Sequence, residues 1–226
     1  AAPLDIDAFF AEVDATSRTE PRRALGMVER ALHKHGHAPA DPALRPRLIR
    51  MRGHVRRMLN DYTGALADYR VVHEHYRRAE NRLELAITQI GRIDALMYRG
   101  RYRQALACAA LAREIFSRLG ERIRGARLES NVGNLYHRWD RPEEALRHYD
   151  RAGRVFSAAG DAHGRSLVDM NRGNVLSSLG RFEESDAAYR AAHAPAVARG
   201  LDPFALHTGS TRPSLLSLQA RLTAGR

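Results

Sequence analysis

Hydrophobic and polar positions along the chain repeat with a period of forty residues. The segment NVGNLYHRWDRPEEALRHYDRA, which begins at Asn131, returns as NRGNVLSSLGRFEESDAAYRAA from Asn171. The same register in all five copies is marked by a small residue, at Ala24, Ala65, Ala105, Ala145 and Ser185, with a step of forty-one between the first two. A constant period over five copies is the signature of a repeat architecture.

Each copy predicts two helices joined by tight turns. From the small-residue column, further small or aromatic positions follow four and then three residues later, which places all three columns on one helical face. Gly and Asn tolerate the left-handed backbone that ends a helix, whereas Asp tolerates it less well. Two such stop columns recur, at Asn60, Gly100, Asp140 and Gly180 and at Glu80, Gly120, Gly160 and Gly200. The second helices are predicted to begin at Pro21, Tyr62, Tyr102, Pro142 and Phe182.

The columns of the fourth copy resemble the tetratricopeptide repeat, through Gly133, Tyr136, Ala145, Tyr149 and Ala152. The usual period of that family is 34 residues, so the period of forty is similar to a long subclass found in bacterial regulators and in proteins with CHAT-type peptidase domains. The resemblance implies an all-α fold, a right-handed superhelical solenoid of antiparallel helix pairs. It also implies a concave side that is lined by the first helix of each pair and binds peptides or proteins.

The period divides the chain into an array and a tail. Residues 1–205 are predicted to form five repeats, at about 5–45, 46–85, 86–125, 126–165 and 166–205. In residues 206–226, HTGSTRP breaks the pattern and PSLLSLQARLTAGR is compatible with a short amphipathic helix. Because repeat arrays need a polar-faced cap, this helix is a candidate for one.

The two faces of each first helix have different expected roles. At 100° per residue, one arc of the fourth copy contains Leu128, Val132, Leu135, Tyr136 and Trp139 and should pack against neighbours. The opposite arc should line the concave side, and it carries Asn131, Asn134, Asn171 and Asn174. Asn offers a donor and an acceptor, so these side chains could hold the backbone of an extended peptide. The alternative is that they bond to neighbouring turns or face water.

The same arc in the second and third copies suggests a side-chain preference. It is basic in one copy and apolar in the next, where Ile87, Ile90 and Met97 accompany a tyrosine, so a ligand with acidic residues near a hydrophobic anchor would fit. The candidate peptide-binding residues beside the asparagines are Arg47, Arg50, His54, Arg57, Asp94, Tyr98 and Arg127. Alternatively, the arginines form a solvated face and the apolar residues pack on a neighbouring first helix.

Composition limits the classes of partner. The net charge of +11 raises nucleic acid as a candidate. We do not expect it, because no RNA-reading or zinc-finger motif accompanies the charge, and because Lys34 is the sole lysine, which is typical of a coding bias. No apolar run approaches the roughly 18 residues that cross a bilayer. Cys108 is the single cysteine, which favours a reducing compartment and a cytoplasmic location.

The sequence contains little evidence for a catalytic site. Cys108 has no histidine at a plausible position to activate it. The HKHGH segment at residues 33–37 is expected to be an irregular connector, and no carboxylate or cysteine completes a metal site there. We therefore predict a non-catalytic, cofactor-free scaffold that binds a protein or peptide. The alternatives are a regulatory fragment of a larger enzyme, such as a CHAT-type peptidase, and self-association through the last repeat.

Overall fold

The protein is an array of helices packed in antiparallel pairs. The computed structural model describes residues 5–35 and 43–197, with side chains up to Ala194. Both ranges are helical apart from short connections, and they contain no strand. The helices are α1 (Ile6–Thr19), α2 (Pro21–His35), α3 (Leu44–Met58), α4 (Tyr62–Arg78), α5 (Arg82–Tyr98), α6 (Tyr102–Arg118), α7 (Arg122–Arg138), α8 (Pro142–Ala158), α9 (Ala162–Ser178) and α10 (Phe182–Val197). The predicted all-α solenoid is confirmed, whereas the predicted tail at 206–226 lies outside the described residues.

The same kind of three-residue turn joins each helix to the next from α3 to α10. In each turn, the residue that follows the one with positive φ donates its N–H to the carbonyl oxygen five residues earlier, as Arg141 does to Tyr136 at 2.9 Å. This hydrogen bond is that of the Schellman motif, which ends many helices. Several of these residues also cap the next helix, as when Asp161 Oδ1 accepts from the N–H of Gly164 at 2.8 Å. Seven of the predicted stop residues are confirmed by their positive φ, at Asn60, Glu80, Gly100, Gly120, Asp140, Gly160 and Gly180, whereas Gly200 lies outside the described residues.

The predicted starts of the second helices are all confirmed. The first copy contains both of its helices, and it differs from expectation only in where the second one ends. Its first helix, which has no clear pattern in the sequence, is α1, where Asp5 accepts from the N–H of Ala8 at 3.1 Å. The expected loop at residues 33–37 is wrong for residues 33–35, because α2 continues to His35, while residues 36 and 37 lie outside the described residues. Histidines suit the negative end of a helix dipole.

The buried columns form the interfaces between helices. The small-residue column is fully buried in all five copies. At its one polar member, the Ser185 hydroxyl donates to the carbonyl of Gly173 at 2.8 Å, which satisfies the buried group. Leu128, Val132 and Leu135 of the predicted packing arc are also fully buried. The repeat of the sequence is therefore a repeat of packing contacts.

In three of the helix pairs, a tyrosine of the second helix packs directly on a glycine of the first helix. The ring of Tyr149 is buried, and a Cβ placed on Gly133 would lie 2.5 Å from Tyr149 Cε1. The equivalent contacts join Gly53 with Tyr69 and Gly173 with Tyr189. Only a residue without a side chain allows this approach.

Substitution of Gly133 by alanine should destabilise the array. The added methyl group would overlap the Tyr149 ring, and overpacking of this kind costs about 1–3 kcal/mol. Gly125→Ala in the same helix is the matched control, because a Cβ there meets nothing within 4 Å and alanine favours helix by up to about 1 kcal/mol. Urea unfolding followed by circular dichroism measures both. Equal effects of the two substitutions would contradict this account of the contact.

Candidate functional site

The first helices line the inner side of the array. Successive first helices, from α1 to α3, α5, α7 and α9, approach to within 8 Å between Cα atoms. Within the described ranges, the backbones of successive second helices make no such approach. An array whose elements touch along one side and separate along the other curves toward the touching side, so the first helices form the concave surface.

Two of the predicted asparagines are held by tyrosines. Tyr149 donates from Oη to Asn134 Oδ1 at 2.7 Å, and Tyr189 donates to Asn174 Oδ1 at the same distance. Burial raises the pKa of the Tyr149 hydroxyl, which keeps it protonated and able to donate. The Nδ2 groups of both asparagines have no hydrogen-bond partner among the described residues. Each amide therefore has one end engaged and one end available.

The other two asparagines lie one helical turn earlier on the same helices. Asn131 and Asn171 are half-buried, and within the described part of the chain their side chains make no hydrogen bond. All four amides thus lie on α7 and α9, outside the fully buried positions of those helices. We call this group the amide patch: Asn131, Asn134, Asn171 and Asn174.

The first half of the inner surface is a network of charges rather than amides. Arg57 Nη1 lies 3.4 Å from Asp94 Oδ2, and Arg57 Nη2 lies 3.2 Å from His54 Nδ1. The other ring nitrogen of His54 lies 3.7 Å from Asp14 Oδ1 on α1. Burial, with help from Arg57, lowers the pKa of His54. Burial also raises the pKa of Asp94, although Arg57 opposes that shift.

The remaining predicted arginines are already paired within the chain. Arg47 lies 3.0 Å from Asp7 and over the ring of Phe10, while Arg50 pairs with Glu84. Arg127 is the most exposed of the set, with a longer approach of 3.9 Å to Asp161. Their positive charge is therefore largely compensated before any ligand arrives.

The predicted apolar section is smaller than expected. Tyr98 is exposed at the edge of the array, where its ring stacks on Tyr62 with centroids 4.9 Å apart and Arg138 covers it at 4.4 Å. Met97 is buried instead of lining the surface. Ile87 and Ile90 are half-buried and pack against the core.

Sequence reasoning missed the tyrosine hydroxyls. It assigned Tyr149 and Tyr189 to packing alone, although each follows an asparagine of the inner surface by fifteen residues. At the same spacing, Asp94 is followed by Ala109, which has no hydroxyl, and His54 is followed by Tyr69. The return of the same Asn and Tyr in the last two copies is the signal that could have revealed the Asn–Tyr pairs.

Other kinds of site are not visible in the described ranges. No cluster of three or more His, Cys, Asp or Glu side chains there is arranged to hold a metal ion. None of the helices that the structure describes combines the length and the hydrophobicity needed to cross a membrane.

Comparison with known proteins identifies the repeat. Residues 84–158 match the family model of the tetratricopeptide repeat, so the resemblance predicted from the sequence is confirmed, while the long subclass stays a prediction. A comparison with curated proteins finds no match.

Similar solved structures share the solenoid fold at low sequence identity. BtubC (BKLC) of P. vanneervenii is 20% identical over 92% of this chain and 84% of that chain, with a TM-score of 0.69. The Rap conjugation gene regulator of plasmid pLS20, solved with the Phr* peptide, is 17% identical over 93% and 60%, with a TM-score of 0.73. A Signal Transduction ATPase with Numerous Domains from Pyrococcus horikoshii, which has a tetratricopeptide repeat sensor, is 16% identical over 85% and 29%, with a TM-score of 0.68. This chain therefore spans less than two thirds of each of the last two proteins.

Acidification should destabilise the protein partly through His54. Because the pKa of His54 is lowered in the folded state, the unfolded state binds more protons as the pH falls through about 6.5, the pKa of an unfolded histidine. The free energy of unfolding is therefore higher above that pH and decreases below it. The free energy of unfolding should therefore decrease from about pH 7.5 to about 5.5, and His54→Asn should lose part of that decrease. Urea titrations at both pH values measure it. His163→Asn, at an exposed position of α9, is the control that should keep the wild-type dependence.

Proposed function

We propose that the protein is a non-catalytic scaffold whose inner surface binds an extended segment of another protein. The observation that carries this proposal is the amide patch on α7 and α9. Its side chains lie off the packing arc, and the Nδ2 groups of Asn134 and Asn174 are unused within the described residues. An extended backbone has N–H and C=O groups without partners, and side-chain amides can satisfy both.

The solved relatives support a peptide as the ligand. The Rap regulator of plasmid pLS20 has the same solenoid fold and was solved with a peptide bound. The low identity limits that likeness to the fold, so our proposal for where a peptide binds rests on the amide patch and not on the relative.

The proposed ligand carries acidic residues and a hydrophobic anchor. The net charge is +11 and its excess lies in residues 46–125. An acidic ligand would compete with the acids of the chain itself for Arg47, Arg50, Arg57 and Arg127. Tyr98, exposed at the edge of the third pair, would supply apolar contact to the anchor.

A cytoplasmic location agrees with the single cysteine, Cys108, which cannot form a disulfide within the chain. A non-catalytic role agrees with the state of its thiol. The thiol is buried, and burial raises its pKa. A thiol with a raised pKa has little thiolate at neutral pH and is a poor nucleophile.

A second candidate function is that of a sensor segment within a larger protein. The Pyrococcus horikoshii protein is a multidomain ATPase with a tetratricopeptide repeat sensor, and this chain covers 29% of it. In such a protein, and equally in a CHAT-type peptidase, ligand binding on the inner surface would regulate a separate catalytic domain. A reading frame that continues into a domain with a catalytic His/Cys pair would favour this function over a scaffold alone.

Removal of two amides should abolish peptide capture. We expect wild type to capture a sequence-related set of peptides from a 12-residue peptide array, and Asn134→Ala/Asn174→Ala to lose them by about tenfold or more, because each neutral hydrogen bond contributes about 0.5–1.5 kcal/mol. Gln104→Ala is the matched control, since it removes an exposed amide from α6, a second helix. Circular dichroism establishes that every variant is folded.

Three results would contradict the proposal. They are capture of no related peptides by wild type, equal capture by the double variant, and equal loss in Gln104→Ala. Sedimentation of the wild type on its own separates peptide binding from the self-association alternative, because only the latter gives concentration-dependent dimers.

A further inference from the structure

Two tyrosines are fixed beside the amide patch by the packing of their rings. Tyr149 lies against Gly133, where a Cβ would be 2.5 Å from its Cε1, and Tyr189 lies against Gly173, where the same distance is 2.7 Å. Because each ring abuts helix backbone, its hydroxyl has a defined position. That position is 2.7 Å from the Oδ1 of Asn134 or Asn174.

We propose that Tyr149 and Tyr189 are positioning residues that orient these two amides with their NH2 groups toward the ligand, so that the surface selects backbone carbonyl oxygens. This inference rests on the proposed function. A primary amide is planar, with its acceptor and its donors on opposite sides. Since the hydroxyl donates to the oxygen, the nitrogen is left to face the inner surface as a donor.

The earlier pairs of the array lack this arrangement. In the third pair, Ala109 occupies the tyrosine position and Asp94 occupies the asparagine position, where it pairs with Arg57. In the second pair, His54 takes the asparagine position and its ring contacts Arg57. The oriented donors are therefore restricted to α7 and α9, and they form a pair.

The first measurement needs no ligand. Tyr149→Phe and Tyr189→Phe keep the ring on its glycine and remove only the donor. Relaxation of the 15N-labelled side-chain amides in the full chain should show a restrained Asn134 in wild type and a mobile Asn134 in Tyr149→Phe, with an order parameter below about 0.6. Asn174 should respond in the same way to Tyr189→Phe. Unchanged amide mobility in both variants would overturn the positioning role.

The second measurement uses the peptide captured most tightly by the wild-type array. Fluorescence anisotropy should show that Tyr149→Phe weakens binding about 3- to 10-fold, the range of one neutral hydrogen bond. In the Asn134→Ala background it should have no further effect, because the amide that it orients is gone. An equal loss in both backgrounds would assign the tyrosine a merely structural role and overturn the inference.

Ester substitution of the same peptide tests whether the amides bind backbone carbonyls. Replacing an amide by an ester weakens the carbonyl as an acceptor and also removes the N–H, so N-methylation of the same bonds, which removes the N–H and keeps the carbonyl, is the control. We expect positions that are sensitive to the ester and not to N-methylation, and the absence of any such position would overturn the selection of carbonyl oxygens. If no peptide is captured, or if Asn134→Ala/Asn174→Ala binds as wild type does, the proposed function is wrong. The amide relaxation measurement needs no ligand, so it still decides separately whether the tyrosines orient the amides.

Discussion

The rest of the structure depends on one constraint, the three-residue turn with a left-handed central residue. Helices of 17 residues separated by such turns produce the forty-residue period. Because every turn ends its helix with the same backbone hydrogen bond, each pair meets the next in the same rotational register. That register superimposes the small-residue columns and brings Gly133 beneath Tyr149. The positions of the inner-surface side chains then follow from the turns rather than from any contact with a ligand.

The inner surface has two chemically distinct halves. Around α3 and α5, its charged groups pair with one another, as Arg57 does with Asp94, although the buried Nε of Arg57 has no hydrogen-bond partner among the described residues. Around α7 and α9, the amides of Asn134 and Asn174 are engaged at the oxygen and available at the nitrogen. A ligand would have to displace internal ion pairs in the first half, whereas it would only displace water in the second. Specific recognition therefore has different energetic costs along a single surface.

Sequence patterns predicted what is local or periodic. The helix starts at Tyr62 and Tyr102 and the turn at Asp140 follow from propensity and spacing, and all three are present. The partners of the inner-surface side chains could not be predicted, because an arginine such as Arg47 reaches an acid forty residues away and long flexible side chains have many alternatives. The hydrogen bonds between tyrosine and asparagine were not predicted either, because the tyrosine column was interpreted only through the packing of its rings. The roles of the candidate residues in binding remain predictions.

The separation of the second helices has a mechanical consequence. The second helix of each pair packs on the first helix of the next pair, and successive first helices also touch, whereas the backbones of successive second helices stay apart within the described residues. Each junction is therefore open along its outer line, and small rotations at successive junctions add up to a change in the curvature of the array. A segment bound across α7 and α9 would tie two pairs together along the inner side. Its arrival would stiffen one junction and alter the end-to-end dimension of the whole solenoid.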